Sequence, residues 1–132
     1  MIARVPPGSP CVLVADDEPQ LLRVLVRVLE KSGYPVVTAT DAPNAISAFR
    51  AAPDEINVVV LDGAIDPHGA NEVLQSILDE RPQVGVVITS GDRISDSLRS
   101  LMLSNDGIFL RKPFAPSALL RAVEDSLIKE DE

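Results

Sequence analysis

The chain has 132 residues, 45 % hydrophobic and 24 % charged, which suits one globular domain with a real core and leaves little room for a second. Aromatic residues are only 3 %, so that core must be aliphatic. The formal net charge of −8 disfavours both direct DNA contact, which needs a basic face to neutralise phosphates, and docking on an anionic membrane. Residues 1–10 carry Pro6, Pro7, Gly8, Ser9 and Pro10 and read as a flexible N-terminal tail. The first apolar run, Cys11 to Ala15, is continuous, as in a strand covered on both faces. Cys11 is the single cysteine, so it has no disulfide partner within the chain, and it is expected to be a buried small side chain. Asp16-Asp17-Glu18-Pro19 follows, and then Leu22, Leu25, Val26 and Leu29 mark one face of a helix. Gly33 is placed to end that helix, because glycine tolerates positive φ.

The second run, Val36 to Thr40, leads into helical spacing at Ala42, Ala45, Ile46 and Phe49. The third, Ile56 to Leu61, ends at Asp62, and after a Gly- and Pro-containing loop come Val73, Leu74, Ile77 and Leu78. The fourth, Gly85 to Thr89, ends at Ser90-Gly91, with Ile94, Leu98, Leu101 and Met102 as the next expected helical face. The fifth, Gly107 to Arg111, ends at Lys112-Pro113, before a last helix over about 116–129. The expected organisation is therefore one domain over 11–129 and an acidic tail over 130–132. No window reaches the roughly 18 apolar residues of a membrane span, and no signal peptide is evident, so a cytoplasmic location is the default.

Five strand-then-helix units without a hairpin signal predict an α/β fold with a five-stranded parallel sheet and helices on both faces. Right-handed crossovers and five units fit the flavodoxin-like strand order 2-1-3-4-5. In that order the ligand crevice lies at the C-terminal strand ends, between strands 1 and 3. Asp16 and Asp17, Asp62, Thr89 and Ser90, and Lys112 each follow or end a strand, so they converge on one rim. Crowded carboxylates repel one another unless a cation is present, and an oxygen-rich set of this kind suits Mg²⁺. One carboxylate can then act as a nucleophile toward phosphorus, with Lys112 neutralising phosphoryl oxygens and the Ser90 hydroxyl donating to one of them.

These segments resemble the receiver domains of two-component response regulators. Val12 to Pro19 resembles their first strand and acidic pair, and Val58 to Asp62 their phosphoacceptor strand. Ile88-Thr89-Ser90-Gly91 resembles their hydroxyl-bearing strand end, and Phe109 to Phe114 their lysine-proline motif. The wording is similar to receivers of hybrid histidine kinases and to stand-alone receivers. The resemblance implies that Asp62 accepts a phosphoryl group from a histidine kinase or a histidine phosphotransfer protein. It implies Mg²⁺ on Asp16, Asp17, Asp62 and the backbone carbonyl of Ala64, and phosphoryl binding by Ser90 and Lys112. It makes Ser90 and Phe109 the switch pair, Pro113 a cis proline, and Ala64 and Asp92 the positions that tune dephosphorylation. It gives the face built from the fourth helix, fifth strand and fifth helix to a downstream protein. Pairing with a second copy of the chain stays open. Such a domain assists its own phosphorylation and dephosphorylation and is not a turnover enzyme.

One stretch departs from the family. After Asp62 the usual pattern has Met-Pro and a later Gly, whereas this chain reads Gly63-Ala64-Ile65-Asp66-Pro67-His68-Gly69. That alters the loop around the Ala64 carbonyl and brings Asp66 and His68 near the pocket. It also keeps a second function open, a receiver-like binding module whose phosphorylation site is altered or inactive. A metal-dependent phosphohydrolase is a third, although the chain lacks an Asp-x-Asp after its first strand. Each rim residue has a plainer role as well. Asp16, Asp17 and Ser90 could only cap helices, Asp62 could only close a turn, Lys112 could be solvated, and Phe109 could be static core.

Overall fold

Strand and helix alternate along the described residues, for the reason that the sequence alternates short β-branched runs with amphipathic stretches. A computed structural model describes residues 10–65 and 69–128. Most of the expected N-terminal tail and all of the acidic tail lie outside those residues, as do Asp66 and His68. The elements are β1 (Cys11–Ala15), α1 (Pro19–Lys31), β2 (Val36–Ala39), α2 (Ala42–Ala51), β3 (Ile56–Asp62), α3 (Gly69–Glu80), β4 (Gly85–Ser90), α4 (Asp96–Ser104), β5 (Ile108–Arg111) and α5 (Pro116–Ile128). The five strands form one sheet in the order β2-β1-β3-β4-β5, with every pairing parallel.

The continuous apolar strands are explained by cover on both faces. Successive side chains on a strand point to opposite sides. Leu13, Ala15, Val59, Leu61 and Ile88 meet Ala45, Phe49, Leu74 and Leu98 from α2, α3 and α4. Val12, Val14, Val58, Val60 and Val87 meet Leu22, Leu25, Leu29, Leu119 and Val123 from α1 and α5. Each fully buried aliphatic side chain contributes about 1.5–3 kcal/mol, so both faces hold the sheet.

Gly33 ends α1 as the sequence suggests, with φ of 94°. The Gly33 N–H donates to the Glu30 carbonyl (3.0 Å) and the Tyr34 N–H to the Leu29 carbonyl (3.1 Å), the paired bonds of a Schellman end. Two expectations fail. Cys11 is half-buried, because it starts the sheet where only part of the core covers it. Ile94 is not on α4: the helix starts at Asp96, capped by Ser95, whose Oγ accepts from the Leu98 N–H (3.1 Å). Ile94 still packs against the core from the preceding loop.

Candidate functional site

Register carries the polar residues to one level of the sheet. Ala15 pairs with Leu61, Asp62 with Thr89, and Ser90 with Arg111. The residues at or just past those pairs, Asp16, Asp62, Ser90 and Lys112, therefore share one rim. Carboxylate oxygens of Asp16, Asp17 and Asp62 all lie within 4.8 Å of one another. Asp16 and Asp62 are buried and Asp17 is exposed.

Lys112 closes the cluster. Its Nζ lies 3.1 Å from Asp16 Oδ2, 3.4 Å from Glu18 Oε1 and 3.6 Å from Asp62 Oδ1. Its side chain is only 18 % exposed, which removes the solvated-lysine alternative. Burial pulls its pKa down, but the Asp62, Asp16 and Glu18 carboxylates outweigh this and hold it above the usual lysine value. The Lys112 N–H donates to the Ser90 carbonyl (2.9 Å), which ties its backbone to β4. The Lys112–Pro113 bond is cis.

Asp62 is 3 % exposed. Burial pushes its carboxyl above the usual aspartate range. The Ala64 N–H bond lowers it, Asp16 raises it, Lys112 lowers it and Asp17 raises it, and the balance is upward. The Ala64 N–H donates to Asp62 Oδ1 (3.0 Å), and Lys112 approaches the same oxygen. The second oxygen, Oδ2, has neither contact, and no fully buried polar side-chain atom among the described residues lacks a partner. The two oxygens of Asp62 are therefore held unequally.

Neither Asp16 nor Asp17 caps α1. The N-cap of α1 is Glu18, with no side-chain capping bond and Pro19 at the first helical position. Asp16 Oδ1 accepts the Glu18 N–H (2.8 Å), a local turn that leaves Oδ2 facing Lys112. The Ser90 hydroxyl is not turned to Asp62. It donates to the Asp92 carbonyl (2.9 Å) and accepts the Asp92 N–H (3.0 Å), so it closes a turn and caps no helix. Asp92 is exposed, and Phe109 is 38 % exposed, which overturns the static-core alternative for it. Ala64 is exposed beside Asp62.

Two residues at the rim escaped the sequence reading. Glu18 binds Lys112, although beside a proline it reads only as a helix start. Gly63 sits so close to Ile94 that an added Cβ would lie 2.9 Å from Ile94 Cγ2. Ile65, which stands where the family usually has Met, is buried in the core, so the unusual loop keeps an apolar plug at that position.

The sequence pattern of the response regulator receiver domain matches residues 12–124. The chain belongs to that family. Receiver domains are phosphoacceptor signalling domains of two-component systems, and they generally bind Mg²⁺ in an acidic pocket. The chain is 35 % identical over 111 residues to the probable transcriptional regulatory protein TcrX of Mycobacterium tuberculosis, covering 82 % of this chain and 46 % of TcrX. It is 30 % identical to the alkaline phosphatase synthesis transcriptional regulatory protein PhoP of Bacillus subtilis, covering 92 % of this chain and 54 % of PhoP. The chain spans about half the length of the curated relatives it matches. A crystal structure of a response regulator receiver protein from Sinorhizobium medicae superposes with a TM-score of 0.76 at 28 % identity, covering 90 % of this chain and 94 % of that one. Among the described residues of this receiver domain, no helix is long and apolar enough to cross a membrane.

The donor set fits a magnesium ion. Three carboxylates crowd together with one ammonium among them, and Asp62 is pushed toward its neutral form in the absence of further positive charge. A hard divalent cation with oxygen ligands removes that imbalance.

Proposed function

We propose that this receiver accepts a phosphoryl group on Asp62 from a phosphohistidine of a histidine kinase or phosphotransfer protein, and that the modification alters a partner-binding surface over α4, β5 and α5. The observation that carries this is the meeting of Asp16, Asp17 and Asp62 oxygens within 4.8 Å beside Lys112. Asp62 Oδ2 attacks phosphorus, the phosphorus–nitrogen bond of the donor breaks, and the imidazole leaves with the bonding pair. Lys112, 3.6 Å from Asp62 Oδ1, neutralises charge on the transferred oxygens. A Mg²⁺ ion held by Asp16, Asp17, Asp62 and the Ala64 carbonyl would supply further positive charge opposite those oxygens.

Ser90 responds by leaving its turn with Asp92 and donating to a phosphoryl oxygen. Phe109 then changes its exposure on the face that meets the downstream protein. Asp92, exposed and close behind Ser90, guides the water that ends the signal, since Ala64 offers no polar side chain for that task.

Incubation with Mg²⁺ and acetyl phosphate is expected to add one phosphoryl mass to the intact chain, and Asp62→Asn to abolish it. Without Mg²⁺ the labelling is expected to stop. An unmodified mass, under conditions that label another receiver, together with no measurable Mg²⁺ binding, would instead assign the chain as a receiver-like binding module.

A further inference from the structure

We propose that the groove between α1 and the free edge of β2 is a docking site for an acidic, extended segment of a partner protein. The groove has a volume of about 670 Å³ and lies along the side of α1 that faces the sheet edge. Leu22 and Val26 form its apolar floor, and Arg23, Arg27 and Lys31 rise along it with Thr38 of β2 opposite. It is separate from the carboxylate rim and from the α4–β5–α5 face.

The three cations are spaced i, i+4, i+8, so they form one stripe on α1. All three are exposed, and none has an ion pair or side-chain hydrogen bond among the described residues. Like charges at i, i+4 oppose the helix that carries them. The helix dipole accounts for Lys31, which sits in the last turn, but not for Arg23 or Arg27. Among the described residues that line the groove, only Glu30 brings a negative charge. In a chain of net charge −8, such a stripe is a local reversal of sign.

The strand edge supplies the second element of recognition. Among the described residues β2 is the outermost strand on its side of the sheet. The Pro35 and Ala39 carbonyls accept from the Val12 and Asp16 N–H groups of the β1 side. By the alternation of a strand, Val36 and Thr38 therefore aim their backbone N–H and C=O at the free edge. An extended segment can pair with those groups, while its carboxylates reach the stripe and an apolar side chain covers Leu22 and Val26.

Duplex nucleic acid and anionic bilayers fit less well. They spread negative charge well beyond the groove, where the acidic remainder of the chain repels it. A single strand of polypeptide meets the stripe alone, and neither a bilayer nor a duplex offers the backbone groups that the β2 edge can pair with.

The test uses the full chain and a fluorescent peptide alternating glutamate with valine, read by anisotropy at low salt. Saturable binding is expected, weakened about tenfold by Arg23→Glu/Arg27→Glu and relieved by salt. In ¹⁵N spectra the wild-type amides that shift are expected to lie over 22–39. Arg93→Glu/Arg99→Glu, which alters the cations beside α4, is expected to leave binding unchanged. So is Asp62→Asn, which separates this site from the phosphoacceptor. No peptide binding, equal loss in the two double variants, or binding only to phosphatidylserine vesicles would overturn the proposal.

Discussion

Opposing influences meet on the carboxyl of Asp62, and their balance can be read as stability. Burial and the Asp16 and Asp17 charges raise its pKa more than the Ala64 N–H and Lys112 lower it. Between the ordinary aspartate value and the raised one, the folded chain holds more proton than the unfolded chain. The slope of stability with pH is then negative, so stability falls as pH rises through that window. The cation-free wild type is therefore expected to melt below Asp62→Asn at neutral pH. The gap should close as pH falls to about 4, where the unfolded carboxyl is protonated as well. Thermal unfolding in a chelator across that range checks it, and a gap that does not depend on pH would contradict the assigned cause. Lys112 complements this carboxyl but does not cancel it, since its shortest contact is with Asp16 rather than with Asp62.

Element ends show how local chemistry fixes the scaffold under the site. Gly33 holds φ of 94°, where a Cβ is strained, and its N–H helps to close α1. Gly33→Ala is expected to destabilise the chain by about 1 kcal/mol, read as a lower denaturant midpoint with an unchanged slope. An unchanged midpoint would mean that the turn relaxes without strain. This helix end was legible in the sequence because one residue type answers one backbone need. The start of α4 was not. Ile94 has the right spacing for a helical face, yet the capping hydroxyl of Ser95 intervenes and starts the first turn at Asp96. Periodicity reports which side chains are buried and does not report which peptide begins the hydrogen-bond ladder. The same limit applies to Cys11, whose run is strand-like but whose cover depends on how far helices extend over the sheet edge.

Across the whole molecule, the sheet joins the carboxylate rim to a face on which Leu103 and Phe109 are exposed. The strand order could be read from the sequence because five strand-helix units with right-handed crossovers leave few topologies, and the rim because each polar residue ends or follows an apolar run. Which way Ser90 points could not, because a hydroxyl has partners on either side of the strand end. It is tied to the Asp92 backbone, while the Ser90 carbonyl holds the Lys112 N–H and Ile88 pairs with Phe109. A phosphoryl group on Asp62 that draws the hydroxyl away leaves the Asp92 N–H without its acceptor and loosens the turn before α4. Hydrogen exchange over residues 91–96 and 108–111 is therefore expected to change on phosphorylation, while α1 and β2 stay as they were. Ser90→Ala should still take up the phosphoryl mass, because Asp62 and Lys112 remain, but should lose the difference in exchange between the two forms. If Ser90→Ala keeps that difference in full, the signal leaves the site by another route than this hydroxyl.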